Sequence, residues 1–420
     1  MSKRSTITSP ILVSPRELVV ACAAVLAVFF AGVALKASGS RWAGGDAWTI
    51  GGDFAALYVA GRMLDEHDGA GLYDIELQER VYREVVPGAS TLNRTFAYPP
   101  YIAALFSPLA RLPFGLALAI FMVATLVAYL AALWLLNAAF GPTRGDERSL
   151  LFLAGLSFFP FLGYTWLGTQ ISTVGFLAVA LALLEEERGR PLFSGMALSL
   201  CLYKPTLLVV MLPMLVVTGR VRQVVGFFAG AGLQVVLWLA IGGRASVAAF
   251  AEEIRWIVVH TTSTSQLFNP HRYVDINAFF RLLPFGRSTA GHLLLGVIAS
   301  AAAMALVGTW WRSRGSDRPV QQLVWAATVT WTLVLNLYVP FYDTVLVVAA
   351  AVLAVAAVKT RAWEGWNRLG PALVCVYLAP WIAEVCARVF SVQIYTLVLS
   401  GFGALLLVEA NRRSEIKSLA

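Results

Sequence analysis

The sequence predicts an all-α protein, a polytopic transmembrane helical bundle of about 12 spans that forms one domain over residues 1–420. Of the 420 residues, 59% are hydrophobic and only 13% are charged, whereas a soluble domain carries roughly 25% charged residues. The apolar runs show no alternation, which favours helices over a membrane β-barrel. The net charge of +8 lies mainly in short loops, and it therefore indicates membrane orientation rather than nucleic-acid binding.

Thirteen apolar runs supply the predicted helices: 18–35, 97–111, 114–138, 149–166, 170–185, 191–203, 205–218, 223–241, 290–311, 321–338, 343–358, 369–388 and 392–409. The first run lacks a small-residue cleavage site and is expected to be a retained helix. Both chain ends are basic and are predicted to be cytoplasmic, which requires an even number of crossings. The run 97–111, interrupted by Pro99, Pro100 and Pro108, is expected not to cross.

Two longer segments, 36–96 and 242–289, are predicted to lie on the outer face. The first contains nine acidic and six basic residues, in contrast to the basic loops on the other side. The second contains an amphipathic stretch over 248–259, followed by a polar stretch. Both are too short to be independent domains, so we expect short interfacial helices that cover a cavity.

Two runs are interrupted in ways that predict broken helices. Lys204-Pro205 divides the apolar residues between two basic clusters into halves of about 13 residues, or roughly 20 Å of helix, against a hydrocarbon core of about 30 Å. The chain is therefore predicted to enter the membrane, turn at Lys204 and return. A similar break lies at 167–170. An ammonium at such a depth predicts a functional site, because its charge needs a polar cavity or a ligand.

The candidate site residues are polar and aromatic groups at the predicted outer ends of the helices: Asp53, Tyr58, Tyr98, Gln170, Lys204, Tyr342 and Asp343. This set suits a sugar attached to a lipid phosphate. Lys204 would neutralise the phosphate, aromatic rings would stack on the sugar, and Asp53 would deprotonate the attacking hydroxyl. One carboxylate suffices for a direct inverting displacement.

Each candidate also has a structural explanation. Asp53 and Asp343 could cap helices, Lys204 could extend to the membrane interface, and Gln170 could tie two helices together. The tyrosines are also typical of interfacial belts. Glu384 and Arg388 are expected to form an ion pair within one helix.

Neither a metal site nor a cofactor is predicted. The four histidines lack metal-ligand spacing, and the four cysteines show no CxxC pair. His271 and Arg272, in the second outer segment, are expected to form part of a solvated loop, although they could meet an anion.

Together, several motifs resemble glycosyltransferase family 87: Gly52-Asp53-Phe54 with Tyr58, Leu72-Tyr73-Asp74, Tyr98-Pro99-Pro100 with Pro108-Leu109-Ala110, Gly168-Thr169-Gln170, Gly195 through Lys204-Pro205, and Tyr342-Asp343. The resemblance is strongest over 51–222 and returns near 338–350. It implies a GT-C-like fold and transfer of a sugar, often mannose, from a polyprenyl-phosphate carrier. The acceptor would be a lipid or glycan, at the outer face of a bacterial plasma membrane.

The resemblance also implies residue roles. The family's catalytic aspartate maps onto Asp53, and its Lys-Pro pair maps onto Lys204-Pro205, while no metal is implied. Some relatives carry a histidine shortly before the position of Asp343, where this chain has Pro340 and Phe341. A transporter or flippase of lipid-linked saccharides is the alternative prediction. Such a protein should contain repeated halves with polar groups near the bilayer midplane, and no clear repeat is visible here.

Overall fold

The computed structural model describes residues 15–39, 52–66, 69–86, 95–142, 145–263, 269–360 and 365–418. Within these ranges the chain forms 17 α-helices: α1 Pro15–Gly39, α2 Gly52–Glu66, α3 Ile75–Val85, α4 Pro100–Ala110, α5 Phe114–Phe140, α6 Gly145–Leu156, α7 Ser172–Glu187, α8 Pro191–Ser199, α9 Met211–Val217, α10 Val221–Ser263, α11 Ile276–Leu282, α12 Thr289–Arg312, α13 Arg318–Val334, α14 Val347–Thr360, α15 Trp366–Leu378, α16 Pro380–Phe390 and α17 Ile394–Ser418. The all-α prediction is confirmed.

Seven helices in the described part of the chain are long and apolar enough to cross a membrane. They are α1, α5, α6 continued through Trp166, α10, α12, α14 with the turn that precedes it, and α17. The pair α15–α16, bent by 67°, provides an eighth candidate. A polytopic membrane bundle is therefore confirmed, while the count of about 12 spans stays a prediction.

Helix length supports the expected behaviour of the run 97–111. Helix α4 has 11 residues, about 16 Å of helix at 1.5 Å per residue, against a hydrocarbon core of about 30 Å. It is too short to cross as a straight helix. The paired helices α8 and α9 are also short, with 9 and 7 residues, as expected for two halves joined at a break.

The bundle has a central helix and peripheral ones. Within the apolar window of each span, 83% of the residues are buried in the segment that contains α14, against 11% in α12. Helix α13 is also buried along most of its length, from Pro319 to Val334. The exposed apolar side chains of the outer helices, among them Val123, Leu233 and Leu293, form the surface expected to face lipid.

Small residues allow α8 to pack tightly against α10. A Cβ atom built on Gly195 of α8 would overlap the carbonyl oxygen of Gln223 on α10, and one built on Gly226 would overlap the carbonyl oxygen of Leu192. Close backbone approach of this kind is typical of helix pairs in membranes, where small residues line the interface. This close packing fixes the position of the α8–α9 hairpin against the long helix α10.

The predicted outer segments consist largely of helix where they are described. Residues 40–51, 67–68, 87–94 and 264–268 lie outside the described residues. The second segment was expected to begin at 242, and α10 bends sharply there, at Gly243 with a φ of 68°. The helix then continues to Ser263 through the predicted amphipathic stretch.

Candidate active site

Helix α7 connects two chemically different ends of the bundle. Near its first residue the Ser172 hydroxyl donates a hydrogen bond of 2.8 Å to Asp343 Oδ1. Near its last residue Glu186 forms an ion pair with Arg220. Ser172 and Glu186 lie on the same helix, and the rise of about 1.5 Å per residue separates their contacts by about 21 Å. We call the end that contains Ser172, Lys204 and Asp343 the site end, and the end that contains Glu186 and Arg220 the basic end.

The α8–α9 hairpin begins and finishes at the basic end and turns at the site end. Ser194, in the first turn of α8, accepts a hydrogen bond of 2.8 Å from Gln223. Gln223 follows the end of α9, at Val217, by six residues. Between them the chain reverses at Lys204, which has an extended backbone (φ −140°, ψ 82°). The following proline disfavours the helical conformation at Lys204. The reversal agrees with the turn predicted from the lysine-proline pair.

At the turn, Lys204 forms an ion pair with Asp343. The lysine side chain is 13% exposed and the aspartate side chain is fully buried. The Nζ atom lies 4.7 Å from the ring centroid of Tyr342 and 5.6 Å from that of Tyr338, within the range of cation–π attraction. One ammonium is thus held by a carboxylate and two aromatic rings.

The break between α6 and α7 connects this ion pair to the start of α2. Thr169 has a φ of 55°, an unusual conformation for a β-branched residue. Its hydroxyl accepts a hydrogen bond of 3.2 Å from the backbone N–H of Phe54. On the other side of the break, the Thr165 hydroxyl donates to the carbonyl oxygen of Tyr342 at 3.0 Å. Strained residues of this kind cluster at functional sites.

Asp53 lies in the first turn of α2, directly before Phe54, and its side chain is partly exposed. Gln170 is buried, and its side chain donates a long hydrogen bond of 3.4 Å to the carbonyl oxygen of Gly168. Asp53 and Gln170 therefore both adjoin the strained break at 167–170. Asp53 precedes Phe54, whose N–H bonds to Thr169, and Gln170 is part of the break itself.

The two remaining predicted tyrosines contact residues other than the ion pair. The ring of Tyr98 stacks on Tyr203, the neighbour of Lys204, with 6.3 Å between the ring centroids. Tyr58 donates a hydrogen bond of 2.7 Å to the carbonyl oxygen of Leu112, between α4 and α5, and packs on Phe114. Tyr98 thus contacts the residue next to Lys204, whereas Tyr58 contacts the start of α5 and the loop before it; the substrate-binding role of both stays a prediction.

Asp275 was missed by the sequence reasoning, although it holds the segment that leads to Asp343. Its Oδ2 accepts a hydrogen bond of 3.0 Å from the backbone N–H of Val339, and its Oδ1 caps α11 through the N–H of Ala278 at 2.9 Å. Burial raises the pKa of this carboxyl to about 6. The aspartate directly before the apolar run 276–282 is a helix-cap signal that could have identified it.

Ser172, the second residue missed, fixes Asp343 from α7. It follows the break at 167–170 by two residues, and a serine in the first turn of a helix carried no signal specific enough to single it out.

In the described part of the chain, no three His, Cys, Asp or Glu side chains come together as metal ligands.

Comparison with known proteins identifies one family. The model described as Glycosyltransferase family 87 matches residues 96–337. No curated protein and no solved structure gives a significant match. Tyr98, Gln170 and Lys204 lie inside the matched range, while Asp53 and Asp343 lie outside it. Because the match covers more than half of the 420 residues, the chain belongs to glycosyltransferase family 87 and is a membrane glycosyltransferase.

Proposed function

We propose that this glycosyltransferase takes a hexose such as mannose from a polyprenyl-phosphate carrier. It would transfer the sugar to a lipid or glycan acceptor at the outer face of a bacterial plasma membrane. The observation that carries the proposal is the buried pairing of Lys204 with Asp343 at the tip of a broken helix, in a chain of this family. Family membership favours transfer over the alternative of transport.

Lys204 is the proposed partner of the donor phosphate. An ammonium has three N–H donors, and Asp343 needs only one of them. The lysine side chain is 13% exposed, and an incoming phosphate oxygen would reach the ammonium from this side. Charge-assisted hydrogen bonds of this type are about twice as strong as neutral ones. Asp343 and Ser172 would hold the lysine in place before the donor arrives.

Asp53 is the proposed general base. It would remove the proton from the acceptor hydroxyl as the oxygen forms a bond to the anomeric carbon of the donor sugar. On the opposite face of that carbon, the bond to the phosphate oxygen breaks and the phosphate keeps the electron pair, stabilised by Lys204. The anomeric configuration is inverted. The hydrogen bond between Phe54 and Thr169 supports this role because it ties the helix of Asp53 to the break.

The test uses the purified full-length protein in proteoliposomes with radiolabelled polyprenyl-phosphate mannose and a membrane lipid extract as acceptor. We expect Asp53→Asn to lower transfer at least about 100-fold, the usual contribution of a general base, without changing the unfolding temperature. Asp74→Asn is the matched control: Asp74 caps α3 through the N–H groups of Glu76 and Leu77, and asparagine caps equally well.

Transfer by the Asp53→Asn variant at the rate of the unchanged protein would refute the assignment of the base.

Lys204→Ala should raise the apparent KM for the donor. An unchanged KM in a folded Lys204→Ala variant would contradict the phosphate-binding role.

A further inference from the structure

A second charged cluster, centred on Glu384, is linked to the site end through Tyr164, which stacks on Phe341. Glu384 of α16 accepts hydrogen bonds on its Oε1 from Arg272 Nε at 3.4 Å and from Arg388 Nε at 3.0 Å. Its other oxygen accepts from the hydroxyl of Tyr164. The expected pair between Glu384 and Arg388 is present. Arg272, expected in a solvated loop, joins this pair instead.

The cluster carries a surplus positive charge. Two guanidinium groups share a single carboxylate, so the local sum is one positive charge. The side chains of Arg272 and Arg388 are 30% and 50% exposed, while that of Glu384 is 12% exposed. A guanidinium offers five N–H donors in a planar fork. Both arginines therefore keep donors that a further oxygen anion can reach.

The backbone around Arg272 is held in place. The ring nitrogen Nδ1 of His271 lies 3.0 Å from the carbonyl oxygen of Ala387, and Gln393 donates a hydrogen bond of 2.9 Å to the carbonyl oxygen of His271. A residue inside α16 and a residue just after this helix thus fasten the arginine loop to it. The two guanidinium groups form a built arrangement rather than a chance encounter of surface side chains.

An apolar stripe runs along α16 beside the cluster. Ile382, Val385 and Val389 are 56%, 60% and 65% exposed, and their spacing of three and four residues places them on one face. At about 100° per residue, this face begins a quarter turn from Glu384. Exposed aliphatic side chains on a membrane helix are the surface that lipid chains cover.

We infer that Arg272 and Arg388 bind the phosphate of an anionic membrane phospholipid whose hydrocarbon chain lies along the apolar stripe of α16. The charge of the cluster selects a headgroup with a net negative charge, and the stripe selects a lipid over a free anion. The site is separate from the proposed donor site, and the inference does not depend on the roles of Asp53 and Lys204.

The contacts of Tyr164 connect this lipid site to the active site. Its hydroxyl bonds to Glu384, and its ring stacks on Phe341 with 4.9 Å between the centroids. Phe341 is two residues before Asp343. A phosphate that draws the arginines away from Glu384 would act on this chain of contacts, so lipid binding is expected to alter the rate of transfer as well.

Binding can be measured by native mass spectrometry of the full-length protein in detergent with added phosphatidylglycerol or phosphatidylcholine. At roughly fivefold for each arginine near an anionic lipid, Arg272→Gln with Arg388→Gln should weaken phosphatidylglycerol binding about thirtyfold. Glu384→Gln removes the carboxylate that competes for the arginines and should therefore tighten phosphatidylglycerol binding. Arg255→Gln, at an exposed one-to-one ion pair with Glu252, is the control and should change nothing.

The outcomes separate the possible ligands. The inference is supported if phosphatidylglycerol binds more tightly than phosphatidylcholine, and if Val385→Ser weakens its binding. It is overturned if the double arginine variant and Glu384→Gln both bind phosphatidylglycerol like the unchanged protein. Competition by inorganic phosphate at the same concentration as the lipid would also overturn it, because the site would then recognise a free anion.

Discussion

Replacing Lys204 with methionine should destabilise the protein more than replacing Asp343 with asparagine, although the two side chains form one ion pair. Asp343 is fully buried, so Lys204→Met leaves a buried carboxylate without its counter-charge. Such a change costs about 3–5 kcal/mol. Asp343→Asn leaves a lysine whose side chain is 13% exposed and whose ammonium still faces the rings of Tyr342 and Tyr338. The loss is then about 1.5–3 kcal/mol, the range for one hydrogen bond to a charged group.

The free energy of unfolding can be measured by steric trapping in bicelles for the unchanged protein, both single variants and the double variant. Asparagine keeps an oxygen that can accept the Ser172 hydrogen bond, so the double variant contains no unpaired buried charge. Its loss should be smaller than the sum of the two single losses by about 2 kcal/mol, within the range for residues in contact. Equal losses in the single variants, or additive losses in the double variant, would refute this reasoning.

Three further predictions test the supports of the site. Thr169→Val removes the acceptor for the Phe54 N–H and should lower sugar transfer at least about tenfold through misplacement of α2, whereas Thr169→Ser should stay close to the unchanged rate. The pKa of Asp275 rises from about 3.9 when unfolded to about 6 in the folded protein. The contribution of Asp275 to the free energy of unfolding should therefore fall by about 3 kcal/mol as the pH rises from about 4 to about 6, and Asp275→Asn should remove this contribution from pH-resolved unfolding curves. Gly195→Ala should lower the unfolding temperature because its Cβ overlaps the backbone of α10, whereas Gly232→Ala, with open space around it, should leave it unchanged or raise it.

The fold class and the two breaks were predictable from local chemistry. A hydrophobic content of 59% requires lipid-facing surface, and Lys204-Pro205 and Gly168-Thr169 interrupt apolar runs where the chain does turn. Topology alone also predicted that Lys204 and Asp343 lie at one end of the bundle. It did not predict that they touch, because contact depends on how α14 packs at the centre of the bundle.

The span count and the supports of the site depend on longer-range packing. Half-length helices such as α8 and α9 have too little apolar length to be counted reliably from hydropathy, and the 67° bend between α15 and α16 has no distinctive sequence signal beyond Pro380. Asp275 acts on Val339, 64 residues away. A pattern read along the chain contains no information about such a partner.

The separation of Lys204 from Asp343 in the sequence has a consequence for biogenesis. The lysine precedes its partner by 139 residues, which a ribosome takes roughly 7–28 s to add at about 5–20 residues per second. During that interval the nascent α8–α9 hairpin carries an ammonium without this counter-charge, at about 2.5–3.5 kcal/mol on translocon insertion scales. Because the ion pair requires α14, we expect the hairpin to complete its packing late in co-translational assembly, after α14 has been synthesised.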